Sequence, residues 1–178
     1  ANLLKNTPSE FSLSGFDANE EYLNFARERL LPFGHERATL IHEDFLQAVD
    51  IKNSSSAPSL FEVVVQSPVN DSFDIVIANP PYVRTQILGT EQAQLLARKF
   101  NLKGRVDLYY AFLMAMTESL KEGGLLGVIT SNRYLSTKSG ESIRKFLSEN
   151  YEILELIDLG DTKLFDAAVL PAIFIGRK

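Results

Sequence analysis

The sequence predicts an α/β fold: an open, mostly parallel sheet covered by helices on both faces and finishing in an antiparallel pair. Three observations predict it. Phe73–Ala78 and Leu125–Thr130 are short, near-continuous apolar runs, typical of strands buried in parallel sheets. Segments with helical apolar spacing alternate with the strands. The last two strands, Ile153–Leu159 and Val169–Ile175, are joined by only nine residues, which permits a hairpin but no helical crossover.

In chain order, Phe11–Asp17 alternates apolar and small residues and ends on an acid, as a first strand. Ala18–Leu31 predicts a helix with Tyr22, Phe25, Ala26, Arg29 and Leu30 as its stripe, ended by Pro32-Phe33-Gly34. Ala38–His42 is a short strand followed by Glu43 and Asp44. The polar run Asn53-Ser-Ser-Ser-Ala-Pro58 makes 52–72 an expected mobile insertion, in which Phe61–Gln66 is a candidate extra strand. Phe73–Ala78 is stopped by Asn79-Pro80-Pro81-Tyr82, because consecutive prolines supply no ladder donors. A short helix is expected near Glu91–Phe100. Asp107 is expected to cap a helix reaching Leu120, with Val106, Tyr109, Tyr110, Leu113, Met116 and Leu120 inward and Gly123-Gly124 closing it. Ser139–Glu149 is a further amphipathic helix. No internal repeat is present.

The 178 residues are 45% hydrophobic and 23% charged, which suits one globular domain and excludes global disorder. Zero cysteines exclude disulfides, thiolate metal sites and a cysteine nucleophile. The two histidines, His35 and His42, lack the spacing of a zinc site and read as structural, so no metal is expected. No apolar run approaches the ~20 residues of a membrane span, and the N-terminus lacks a signal pattern, so a soluble cytoplasmic domain is expected. The net charge of −5 is uneven: residues 1–72 hold 5 Lys/Arg against 11 Asp/Glu, and 73–178 hold 13 against 12. Arg98, Lys99, Lys103 and Arg105 form an acid-free basic stretch that, with Arg84, flanks the double-proline turn and can meet phosphate. A solvated helix face and loop is its plainer reading.

Ligands collect at the carboxyl ends of strands in such sheets. Asp17 there suits the two hydroxyls of a ribose. Asp44-Phe45 suits an adenine, with the carboxylate accepting from its amine and the ring packing on its face. Singly, each acid reads more readily as a helix N-cap or a loop acid. Asn79-Pro80-Pro81-Tyr82 is more specific. The prolines remove two N–H groups, so the turn presents acceptors: the Asn79 amide oxygen and the Pro80 carbonyl can take both hydrogens of a planar amine. Tyr82 offers a flat face for stacking.

These motifs, in this order, resemble the S-adenosylmethionine-dependent adenine-N6 DNA methyltransferases of restriction–modification systems, in the gamma class and the type IIG fused enzymes. Gly15-Phe16-Asp17 resembles the ribose-binding motif and His42-Glu43-Asp44-Phe45 the adenine-binding motif of the cofactor pocket, which Asn79 also borders. Ile77-Ala-Asn79-Pro-Pro-Tyr82-Val-Arg84 resembles the catalytic motif. Asp107–Phe112 and Lys121–Leu135 resemble the elements that follow it, and Phe165 falls where the class carries an aromatic that sandwiches the base against Tyr82. The resemblance implies a Rossmann-like class I methyltransferase sheet and direct methyl transfer to an adenine flipped out of double-stranded DNA.

Residues 1–11 contain no glycine, so the family's first motif and first strand are expected to be missing. The expectation is therefore a catalytic domain over 1–178, truncated at its N-terminus, without a target-recognition domain, and cut from a longer parent with a nuclease domain as a further candidate part. Such a piece is expected to fold yet to bind the cofactor weakly and be inactive alone. The same tetrapeptide also serves protein-glutamine and RNA-base methylases, and a non-catalytic methylase-fold module is a third reading. The series Asp107–Leu135 with Phe165 favours DNA.

Overall fold

The computed structural model describes residues 11–33, 37–51, 69–82, 90–101, 107–162 and 170–178. Its strands form two sheets in two units of chain, Ala1–Ala48 and Val49–Lys178.

In the first unit, β1 (Leu13–Asp17) pairs in parallel with β2 (Ala38–His42), placing Asp17 opposite His42. Gly15 lets the strands pack closely, since a Cβ there would come within 2.8 Å of Leu40 Cδ2. The crossover is α1 (Glu20–Leu30), followed by a 3-10 turn at Leu31–Phe33. The helix begins later than predicted because the Asn19 side chain caps it, accepting from Glu21 N, with Glu20 and Glu21 in the first turn and Arg27 and Arg29 in the last. Its inward face also differs from the predicted stripe. Leu23 and Leu30 are buried, whereas Tyr22 and Phe25 are exposed, because they lie about 100° and about 160° around the helix from Leu23. A single turn, α2 (Phe45–Ala48), follows β2.

In the second unit the strands are β3 (Phe73–Ala78), β4 (Leu120–Ser131), β5 (Glu152–Asp158) and β6 (Pro171–Arg177), in the order β3-β4-β6-β5. β3 and β4 are parallel, and β6 runs antiparallel to both β4 and β5, which gives the expected closing hairpin. Among the described residues, β1 and β3 each have one unpaired edge. The helices are α3 (Thr90–Lys99), α4 (Tyr109–Ser119), α5 (Arg133–Ser136) and α6 (Glu141–Asn150). α4 is buried almost all round, through Tyr109, Ala111, Leu113, Ala115 and Met116, and packs on β4. Leu113, Met116, Leu120, Leu126, Val128 and Phe174 form the core of this unit.

Three expectations are corrected here. Asp107 does not cap α4 through its side chain; Leu108 is the cap residue, and Asp107 lends only its carbonyl to Tyr110 N at 3.1 Å. Gly123-Gly124 does not close α4, which already stops at Ser119 where Leu120 turns extended. The pair instead interrupts β4, where the β3 register slips between Phe73 and Ile75. Gly123, at φ +77°, donates to the Lys178 carbonyl and Lys178 N donates back to Gly124, so the glycines serve a bulge. Finally, β3 is not buried on both faces: Ile75 and Ile77 are 50% and 65% exposed.

Residues 52–68, with the candidate strand Phe61–Gln66, lie outside the described residues. Residues 69–72 form a turn held by Asp50 N donating to Asn70 Oδ1, Asp71 N to Glu118 O and Ser72 N to Ser119 O.

Candidate functional site

The first unit gathers Asp17, Asp44 and Phe45 at the carboxyl ends of its two strands. Asp17 Oδ1 accepts from Asn19 N at 2.8 Å, and Asp44 Oδ1 accepts from Leu46 N at 2.9 Å. Asp44 thus caps α2, whereas Asp17, at the end of β1, braces Asn19, the cap residue of α1. Each does so with one oxygen, and Oδ2 of each has no hydrogen-bond partner among the described residues. His42 Nε2 lies 3.1 Å from the Ala18 carbonyl and ties the two strand ends together. Phe45 meets Phe16 edge-on at 5.3 Å between ring centroids. Two carboxylate oxygens and a half-buried ring on neighbouring strand ends fit an adenosine: diol on one acid, amine on the other.

The second unit builds its site on the turn after β3. Asn79 is exposed, Pro80 is buried, Pro81 is exposed and Tyr82 is half-buried. The Tyr82 hydroxyl donates to Asn79 Oδ1 at 2.7 Å and lies 3.4 Å from the carbonyl oxygen of Ile129 on β4. Burial raises the Tyr82 phenol pKa, so the hydroxyl stays protonated and remains a donor. Because β4 runs parallel alongside, with Ala78 opposite Val128, the loop after β4 stands next to the turn.

That loop is held firmly. Asn132 Nδ2 donates to Asp158 Oδ1 at 2.9 Å, Gly160 N donates to the same oxygen at 3.0 Å, and Asn132 N donates to the Leu170 carbonyl. The Asn132 hydrogen bond first, then that from Gly160, holds the Asp158 carboxyl below its ordinary value. Sequence reasoning missed this clasp and the Ile129 carbonyl. Both depend on pairings between distant strands and carry no local signal.

Tyr109 is buried, and Tyr110 packs edge-on against Phe146 with its hydroxyl toward the Ser142 carbonyl, so these rings are packing elements. Burial pushes the Tyr134 phenol up to about 12. Of the basic stretch, Arg98 and Lys99 fall in the last turn of α3, with Lys99 Nζ 5.8 Å from the Phe100 ring centroid. Arg84, Lys103, Arg105 and the base-stacking candidate Phe165 lie outside the described residues. Among the described residues no cluster of His, Cys, Asp or Glu can hold a metal, and no helix is long and apolar enough to cross a membrane.

A family model described as Eco57I restriction-modification methylase matches residues 12–165. The type II methyltransferase M.BanIII of Aneurinibacillus aneurinilyticus is 54% identical over 173 residues, covering 97% of this chain and 29% of that protein. A Listeria monocytogenes structure assigned to the class I S-adenosylmethionine-dependent methyltransferases has a TM-score of 0.69 at 22% identity, covering 99% of this chain and 47% of that one. The type I restriction-modification methyltransferase subunit from Streptococcus thermophilus has a TM-score of 0.64 at 21% identity, covering 94% and 34%. These structural likenesses establish the class I methyltransferase fold. The chain spans less than a third of the length of the curated relatives it matches.

Proposed function

Since the chain belongs to the Eco57I restriction-modification methylase family, we propose that it carries the adenosine-binding and amine-binding parts of a DNA methyltransferase that moves a methyl group from S-adenosylmethionine to adenine N6. The observation that carries the reading is the acceptor-rich turn closing β3, where Asn79 Oδ1 and the Ile129 carbonyl converge on one donor position.

When bound, S-adenosylmethionine supplies an electrophilic sulfonium methyl that a nitrogen lone pair can take without a covalent enzyme intermediate. Asp17 would hold the ribose of that cofactor, and Asp44 with Phe45 its adenine. A duplex base is out of reach, so the target adenine is flipped out at a cost of a few kcal/mol. Tyr82 and Phe165 sandwich it. Asn79 and Pro80 accept its amine hydrogens, which orients the nitrogen and stabilises the positive charge it develops. The amide of Asn79 has no useful basicity, so the released proton passes to water. Arg84, Arg98, Lys99, Lys103 and Arg105 meet the flanking phosphates of double-stranded DNA in the cytoplasm.

The test is methyl transfer by the full-length protein to duplex DNA from labelled cofactor, followed by digestion to nucleosides. N6-methyladenine is expected. Label in cytosine, in RNA or on a protein glutamine instead would overturn the assignment.

A further inference from the structure

The geometry points to the Tyr82 hydroxyl as a placeholder for the substrate amine: it occupies Asn79 Oδ1, one of the amine's acceptors, until the base arrives and is then exchanged for it. The inference rests on the reading of this site as one that binds a planar amine. The Tyr82 oxygen lies 2.7 Å from Asn79 Oδ1 and 3.4 Å from the Ile129 carbonyl oxygen. A hydroxyl has one hydrogen, and the shorter contact takes it. The Ile129 carbonyl can only accept, and Pro80 and Pro81 contribute no N–H. Among the described residues, the position therefore has more acceptors than hydrogens. An exocyclic amine brings two hydrogens where the phenol brings one, so the exchange gains a hydrogen bond.

The alternative is physically distinct. A carboxamide oxygen has two lone pairs, so Asn79 can hold phenol and amine together, with the hydroxyl orienting the amide throughout turnover. The two ideas differ in sign. Tyr82→Phe keeps the ring and removes the competitor, so the placeholder role predicts that the full-length protein binds its target duplex about fivefold more tightly, the worth of one net hydrogen bond. Placing 3-fluorotyrosine at position 82 strengthens the donor and should weaken binding. Binding that is unchanged or weaker in Tyr82→Phe, with a lower kcat, would show the orienting role and overturn the placeholder. Thermal melting confirms that each variant is folded; if Tyr82→Phe is not, the direction of the fluorotyrosine effect alone decides. Nucleoside analysis of the wild-type product separates the two levels. Absence of methyladenine refutes the assigned function, whereas methyladenine formation without tighter binding by Tyr82→Phe refutes only the placeholder.

Discussion

Replacing Asn79 by Ala removes one of the acceptors converging beside Tyr82, and its cost can be worked from the geometry. The side chain is exposed, and its hydrogen bond is to a hydroxyl that retains the Ile129 carbonyl at 3.4 Å. Folding should therefore change by no more than about 0.5 kcal/mol, as for most surface substitutions. Catalysis should suffer far more, because the lost acceptor acts on charge that develops at the nitrogen during transfer. Removing one preorganised partner of this kind costs about 100-fold in kcat, or roughly 2.7 kcal/mol. Cofactor affinity should change little, since the adenosine contacts proposed above lie on Asp17, Asp44 and Phe45. Single-turnover methylation by the full-length protein, with calorimetric titration of the cofactor and a melting curve as controls, reads all three quantities. A folded Asn79→Ala protein that keeps more than about a tenth of the wild-type rate would refute the role of this amide.

Tyr82→Ala, or Phe165→Ala, should weaken binding to DNA containing the target adenine by about 1–3 kcal/mol, the value of one base–aromatic stack; unchanged affinity and unchanged 2-aminopurine fluorescence would remove that ring from the site. Asp158→Asn should show a pH-dependent deficit: the depressed folded-state value means its stabilisation is present above the ordinary 3.8 and is lost as pH falls through the lower folded value. Urea midpoints of the two proteins should therefore differ near neutrality and converge in acid, and a difference that persists unchanged at low pH would contradict the clasp. Gly140→Ala would drive a Cβ into the backbone of Tyr134, so a loss of about 1–3 kcal/mol is expected on thermal melting. An unchanged melting temperature would mean that the Tyr134 turn yields readily.

The strands were the most legible part of the fold. Ala38–His42 and Phe73–Ala78 match their predicted bounds residue for residue, because each is an apolar run between polar or proline stops. The antiparallel close was legible from loop length alone. What escaped depends on contacts between distant segments. Gly123-Gly124 reads locally as a helix stop, and only the return of Lys178 beside it makes the pair a bulge. Tyr22 and Phe25 look inward by composition, yet the row that packs on β1 and β2 runs through Leu23 and Leu30. At the candidate site, the tetrapeptide 79–82 announced its acceptors, since proline's missing N–H is a property of the residue itself. The Ile129 carbonyl is a backbone group on a strand 47 residues away, which no side-chain pattern can signal.

The two N–H groups that Pro80 and Pro81 lack also bear on how such a site would treat damaged substrate. Deamination turns the amine of adenine into a carbonyl and leaves the shape of the ring almost unchanged. The Asn79 amide can turn over to meet it, but the backbone carbonyls of Pro80 and Ile129 cannot. A deaminated base would place oxygen against oxygen and leave buried acceptors unpaired, a mismatch costing about 1–3 kcal/mol per group. Sites built to bond a substrate N–H reject analogues lacking it by far more than shape alone allows. On the proposed reading the two prolines make the turn a filter at the binding step: hypoxanthine, which has no N6 amine to methylate, would not be held there either.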